Sequence, residues 1–183
     1  MTPKLAVIVR QRDGVTYARL CGVIDEDAGL DTLLDRIAAR TVILDLAEVR
    51  RINSCGVREW VNWIERLSAR NLEVVLVSCP PPIVAQINVI TGFAGNGAVK
   101  SVLLPYLCPD CDATKLVAVE TATIPTVYDP PPCRCDACGS AMEFDDVPTS
   151  YLSFLGEQRI AVEDPAAIDG VLAELAPPAA AAR

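Results

Sequence analysis

The stretch TVILDLAEVRRINSCGVREWVNWIERLSARNLEVVLVSCPPPIVAQINVITG, residues 41–92, decides how the chain reads. Residues 41–46 are a compact apolar run of the kind found in buried strands. A helix should begin near Ser54, because Val57, Trp60, Val61, Ile64 and Leu67 recur at i, i+3, i+4, i+7 and i+10 and make one apolar stripe. Arg70-Asn71 closes that helix, and residues 72–78 form another apolar strand. Pro80-Pro81-Pro82 then opens a helix over 82–90, since proline suits a first helical turn, and Gly92 stops it.

Upstream, residues 4–10 and 15–22 are short and Val-rich, with Arg12-Asp13-Gly14 supplying the turn of a β-hairpin. Residues 27–39 place Leu30, Leu33, Leu34, Ile37 and Ala38 at helical spacing. Downstream, 99–105 reads as a last strand. The order β-β-α-β-α-β-α-β predicts an α/β fold with helices packed on a mixed sheet. From residue 106 the composition shifts to cysteine, proline and aspartate. One strand is expected at 115–120, with 141–145 placed to pair with it, and a Pro- and Thr-rich linker at 121–132. The predicted units are 1–105, 106–147 and a C-terminal helical segment with its tail, 148–183.

In that last segment Tyr151, Phe154 and Leu155 form an i, i+3, i+4 anchor, for docking on the same chain or on a partner. Asp164-Pro165 reads as an N-cap and first helical residue, followed by one apolar face of Ile168, Val171, Leu172 and Leu175. The tail from Pro177 to Arg183 is low-complexity.

The 183 residues carry a net charge of -8 without a basic block, which argues against a nucleic-acid partner. The first ten residues lack a signal-peptide pattern, and no apolar run reaches the length of a membrane span, so a cytoplasmic protein with no membrane role is expected. Histidine is absent, which removes Ser-His and Cys-His chemistry. No spaced carboxylate pair stands in for it, and no enzymatic activity is expected.

The strand, the turn Asn53-Ser54-Cys55-Gly56, the helix, the second strand and the proline-led helix ending in Ile90-Thr91-Gly92 together resemble the STAS domain of the anti-sigma-factor antagonists. The resemblance covers residues 4–105. The family's turn reads Asp-Ser-Ser-Gly, and its first serine, matched by Ser54, accepts phosphate from a partner kinase. The resemblance implies a signalling or adaptor protein whose partner is an anti-sigma factor, a serine kinase or a scaffold. It also implies that phosphorylation of Ser54 breaks the contact, by placing about -1.5 to -2 charges at one point of an interface. Asn53 stands where the family has aspartate, and Cys55 where it has the second serine.

The candidate contact set is Asn53, Ser54, Cys55, Gly56 and Trp63, the last at the edge of its stripe and either partly buried or on a docking surface. Ser54 read as a helix cap alone, worth about 1 kcal/mol, is the plainer alternative. An architectural subunit that is never phosphorylated is a second, and a reactive Cys55 thiol at the helix N-terminus a third. Self-association stays open. Cys21 and Cys79 lie in strand contexts and read as core.

Cys108-Pro-Asp-Cys111 and Cys135-Asp-Ala-Cys138 are two C-x-x-C knuckles 23 residues apart. Four thiolates suit tetrahedral Zn2+, and Gly139 suits the turn. This is similar to a zinc ribbon, with Cys108, Cys111, Cys135 and Cys138 as ligands to a structural ion. The fifth cysteine, Cys133, competes with Cys135, which is preferred because its spacing matches the first knuckle. The ribbon either supports the fold alone or also contacts a partner.

Overall fold

The computed structural model describes residues 4–124, 129–156 and 165–176. Strands β1 (Leu5–Arg12) and β2 (Val15–Ile24) form the expected antiparallel hairpin, turned by Asp13 and Gly14, both at positive φ. Strands β3 (Thr41–Ile52), β4 (Glu73–Val77) and β5 (Ala98–Val99) continue the sheet in parallel, in the order β1-β2-β3-β4-β5. The connections are α1 (Leu30–Leu34), α2 (Ser54–Ala69) and α3 (Pro81–Val89). The mixed α/β architecture is therefore present in the predicted order. Helix α1 is shorter than the 27–39 expected: it starts only after Gly29, left-handed at φ 61°, it ends at Asp35, and no side chain caps it.

The period of two along each strand sorts the sheet into two faces. Ala18, Leu20, Val42, Leu44, Leu46, Val74 and Leu76 share a core with the helices. Val15, Tyr17, Ile43, Val75 and Val77 face the other way, onto Ile168 and Val171 of α5 (Pro165–Leu175). Residues 42–46 are continuously apolar, apart from Asp45, because β3 is covered on both faces.

Helix α2 buries Trp60, Trp63, Ile64 and Leu67. Trp60 stacks on Phe93 at 5.5 Å and donates from Nε1 to the Phe93 carbonyl at 2.9 Å. Trp63 is a correction. It is 0% exposed, one turn along the same buried face from Trp60, and offers nothing to a docking surface.

The apolar run expected as one strand at 99–105 is split between two sheets. Val99 ends β5, and β6 (Ser101–Leu107) begins a second sheet with β7 (Thr114–Glu120), β8 (Cys133–Arg134) and β9 (Ala141–Phe144), in the order β7-β6-β9-β8. Lys100 is the changeover: its N–H bonds Leu76 of the first sheet, and its carbonyl accepts from Thr121 beside the second. The predicted boundary at residue 105 thus falls inside β6. Strand β9 pairs with β6 and β8 rather than with β7, because β6 inserts between them.

Helix α4 (Pro148–Tyr151) and the 3-10 turn Ser153–Gly156 fold back over both units. Tyr151 and Phe154 are buried on the same chain, and the Tyr151 hydroxyl donates to the Leu103 carbonyl at 2.7 Å. Asn88 of α3 clasps this segment, donating to the Ser150 and Tyr151 carbonyls and accepting from Ser153 Oγ and Phe154 N–H. The Asp164 cap, part of the 121–132 linker and the tail from Pro177 lie outside the described residues. No helix among the described residues is long and apolar enough to cross a membrane.

Candidate functional site

β3 delivers the Asn53-Ser54-Cys55-Gly56 turn to the end of the sheet, beside the loop that follows β2. Asn53 is extended (φ -98°, ψ 175°), and its side-chain oxygen accepts from the Gly56 N–H at 2.7 Å. The cap of α2 is therefore Asn53, not Ser54. Asparagine is among the strongest N-cap residues, and its position before the apolar stripe was the available signal. The Asn53 amide donates in turn to Glu26 Oε2 at 3.1 Å, and its backbone N–H reaches the Ile24 carbonyl at 3.2 Å. Glu26 went unnoticed in the sequence, because nothing local links it to a partner 27 residues away.

Gly56 is required by proximity. A Cβ there would stand 2.1 Å from the Ile24 carbonyl oxygen, so only glycine lets α2 start this close to β2. Ser54 is exposed in the first helical position, and its hydroxyl makes no hydrogen bond among the described residues. Cys55 is half-buried beside it.

The adjoining loop is acidic. Asp25 is buried at 5% exposure and paired with Lys4 Nζ at 3.0 Å, and Lys4 also reaches Asp27 at 3.0 Å. The Lys4 contact holds the Asp25 carboxyl below its ordinary range. Glu26 is lowered as well, first by a backbone N–H and then by the Asn53 amide. Both groups are thus held as carboxylates next to the helix mouth.

The cysteines form a second site. Cys108 follows β6, and its turn is closed by Cys108 N–H to the Ala113 carbonyl (2.8 Å) and Asp112 N–H to the Cys108 carbonyl (3.0 Å). The other turn closes likewise, through Cys135 N–H to Ser140 and Gly139 N–H to Cys135, both 2.9 Å, with Gly139 at φ 78°. The Sγ atoms of Cys108, Cys111, Cys135 and Cys138 lie within 4.8 Å of one another. Cys108 and Cys138 are 3.5 Å apart, as are Cys111 and Cys135. A tetrahedron of thiolates with Zn–S of about 2.3 Å has edges of about 3.8 Å, so the four sulfurs stand at metal-site spacing. Ser140, and after it the neighbouring sulfurs of Cys108 and Cys111, draw the Cys138 thiol down to about 6. Cys133 is not in the cluster; its sulfur contacts Met142 Sδ at 3.9 Å. Of the two, Cys135 and not Cys133 joins the other three sulfurs.

Comparison with known proteins follows this division. No curated protein matches the chain. Solved structures resemble part of it, two crystal structures among them. "Crystal Structure Analysis of Mglu" is 36% identical over 38% of this chain and 18% of that one, with a TM-score of 0.34. "Crystal Structure Analysis of Mglu in its native form" is 25% identical over 38% of this chain and 22% of that one, with a TM-score of 0.33. The matches thus span about a fifth of the length of those chains. The family comparison matches residues 7–100, from the first hairpin to the changeover at Lys100, as a STAS domain. The chain belongs to the STAS domain family.

Proposed function

We propose that this chain is a non-enzymatic cytoplasmic adaptor. Its STAS domain docks a protein partner through the Asn53–Gly56 turn, and phosphorylation of Ser54 releases that partner. The partner class is an anti-sigma factor, a serine kinase or a related scaffold. The carrying observation is a division of labour: Asn53 caps α2, which leaves the exposed Ser54 hydroxyl without a structural duty. Glu26 and Asp27 lie beside the turn, so a phosphate on Ser54 adds like charge to an already negative rim. The helix N-terminus offsets part of that charge and keeps the phosphorylated fold intact.

We assign Zn2+ to Cys108, Cys111, Cys135 and Cys138. The four sulfurs lie within 4.8 Å of one another, and as thiolates they would fill a tetrahedral ion that would cross-link a small sheet and keep no open position for chemistry.

The test is recovery of partners by wild type, Ser54→Ala and Ser54→Asp, with phosphopeptide mass spectrometry of the wild-type protein. The reading expects Ser54→Ala to retain the partner and Ser54→Asp to lose it. Equal recovery by both variants removes Ser54 as the gate.

A further inference from the structure

The sheet face opposite α1, α2 and α3 has its own small core. Among the described residues, Val15, Tyr17, Ile43, Val75 and Val77 cluster there with Ile168 and Val171 of α5, apart from the main core. Helix α5 lies beyond the matched family region, so it is an addition laid over a STAS sheet.

Three features mark α5 as a loose cover. Two ion pairs hold it, each through an exposed carboxylate: Asp169, near its middle, to the partly buried Lys100 at 2.9 Å, and Glu174, in its last turn, to Arg12. Salt weakens such pairs. Gly170 sits in the helix interior with open space where a Cβ would be. Packing does not require glycine there, and glycine lowers helix stability relative to alanine. Finally, α5 leaves a cavity of about 200 Å3 against the sheet, lined by Asp45, Val77, Ser78, Leu172 and Ala176 among others.

We infer that α5 is an internal stand-in for an external ligand, and that the groove beneath it is a second docking site, for an acidic amphipathic helix of a partner protein. The stand-in specifies the ligand's chemistry. Apolar anchors follow the spacing of Ile168, Val171, Leu172 and Leu175, at i, i+3, i+4 and i+7. Carboxylates one and six residues after the first anchor match Asp169 and Glu174, to meet Lys100 and Arg12. This site is independent of Ser54, which lies at the mouth of a helix on the opposite face.

The experiment uses the full chain and a fluorescent peptide of residues 165–176. In the variant Ile168→Asp/Val171→Asp the groove is vacated. The peptide should bind this variant saturably, about tenfold or more tighter than wild type, because an occupied groove is available only for the fraction of time α5 is away. Replacing both peptide carboxylates by lysine should weaken binding. Amide exchange of the wild type provides the second measurement: α5 should exchange about tenfold or more faster than α2, and Gly170→Ala should slow α5 without slowing α2. A folded double variant with no gain in peptide binding overturns the proposal. So does α5 exchange at the rate of α2, which decides the matter alone if the double variant does not fold. A wild-type dimer formed by exchanging α5 between copies overturns the partner reading.

Discussion

Asn53 and Glu26 meet across the mouth of α2, amide to carboxylate at 3.1 Å, while the same side chain closes the helix on Gly56. Aspartate at residue 53 retains the capping oxygen but loses the donor and faces a like charge. Asn53→Ala should therefore cost about 1 kcal/mol, and Asn53→Asp less. Glu26 has a lowered folded pKa, so what it contributes is present above its unfolded pKa and is lost as pH falls through the folded one. Asn53→Asp should move the Glu26 midpoint upward. Urea denaturation and an NMR carboxyl titration check the two parts. An unmoved midpoint would show that the amide does not matter to Glu26.

Gly56→Ala brings a methyl group to 2.1 Å from the Ile24 carbonyl oxygen, a backbone atom that cannot rotate away. The helix start must shift from β2, and stability should fall by about 2–4 kcal/mol. A denaturation midpoint within error of wild type would contradict the close approach.

The purified protein should carry about one zinc per chain, as four thiolates fill one tetrahedron. Cys135→Ser should lose the metal and Cys133→Ser should keep it, since the Cys133 sulfur turns toward Met142 instead. Cys108 and Cys135 belong to the same core as α2 and α3, so chelation should lower the thermal midpoint of the whole molecule. Elemental analysis and calorimetry read both effects. Equal metal content in the two variants would reassign the ligands.

Tyr17 is buried and donates to the buried carboxylate of Asp45 at 2.5 Å. Burial, then the hydrogen bond to Asp45, pushes its phenol above the ordinary value. The stability this confers is full below the unfolded pKa of about 10 and declines as pH rises beyond it. Tyr17→Phe should cost about 1.5–3 kcal/mol at neutral pH, because Asp45 loses a charge-assisted bond. The decline above pH 10 should be shallower in the variant. Urea midpoints measured at neutral and alkaline pH test this, and parallel curves would refute it.

What was readable in the chain follows from the range over which each interaction acts. The stripe from Val57 to Leu67 and the apolar runs at 41–46 and 72–78 are local patterns, and they located α2 and the strands β3 and β4. The C-x-x-C spacing is also local, and it identified all four clustered sulfurs. Trp63 was misjudged because a stripe's width depends on what packs against it, here Trp60 and the sheet. The run from Val99 to Pro105 carries only two polar residues, Lys100 and Ser101, and neither is a turn former that announces the change from one sheet to the other at Lys100. The clasp by Asn88 spans more than sixty residues, beyond any periodic signal.

Cys79 has a last consequence. Its N–H bonds Ser101 and its carbonyl takes the Leu103 N–H, so the exit of β4 is stitched to the first residues of β6. There is no slack between the STAS fold and the cysteine-bearing sheet. The second is bolted on like a bracket rather than towed on a cord. A shortened chain ending at residue 105 would cut the bracket mid-strand and strip Cys79, Leu103 and Leu104 of their cover, whereas one retaining everything through Gly156 would keep the joint whole.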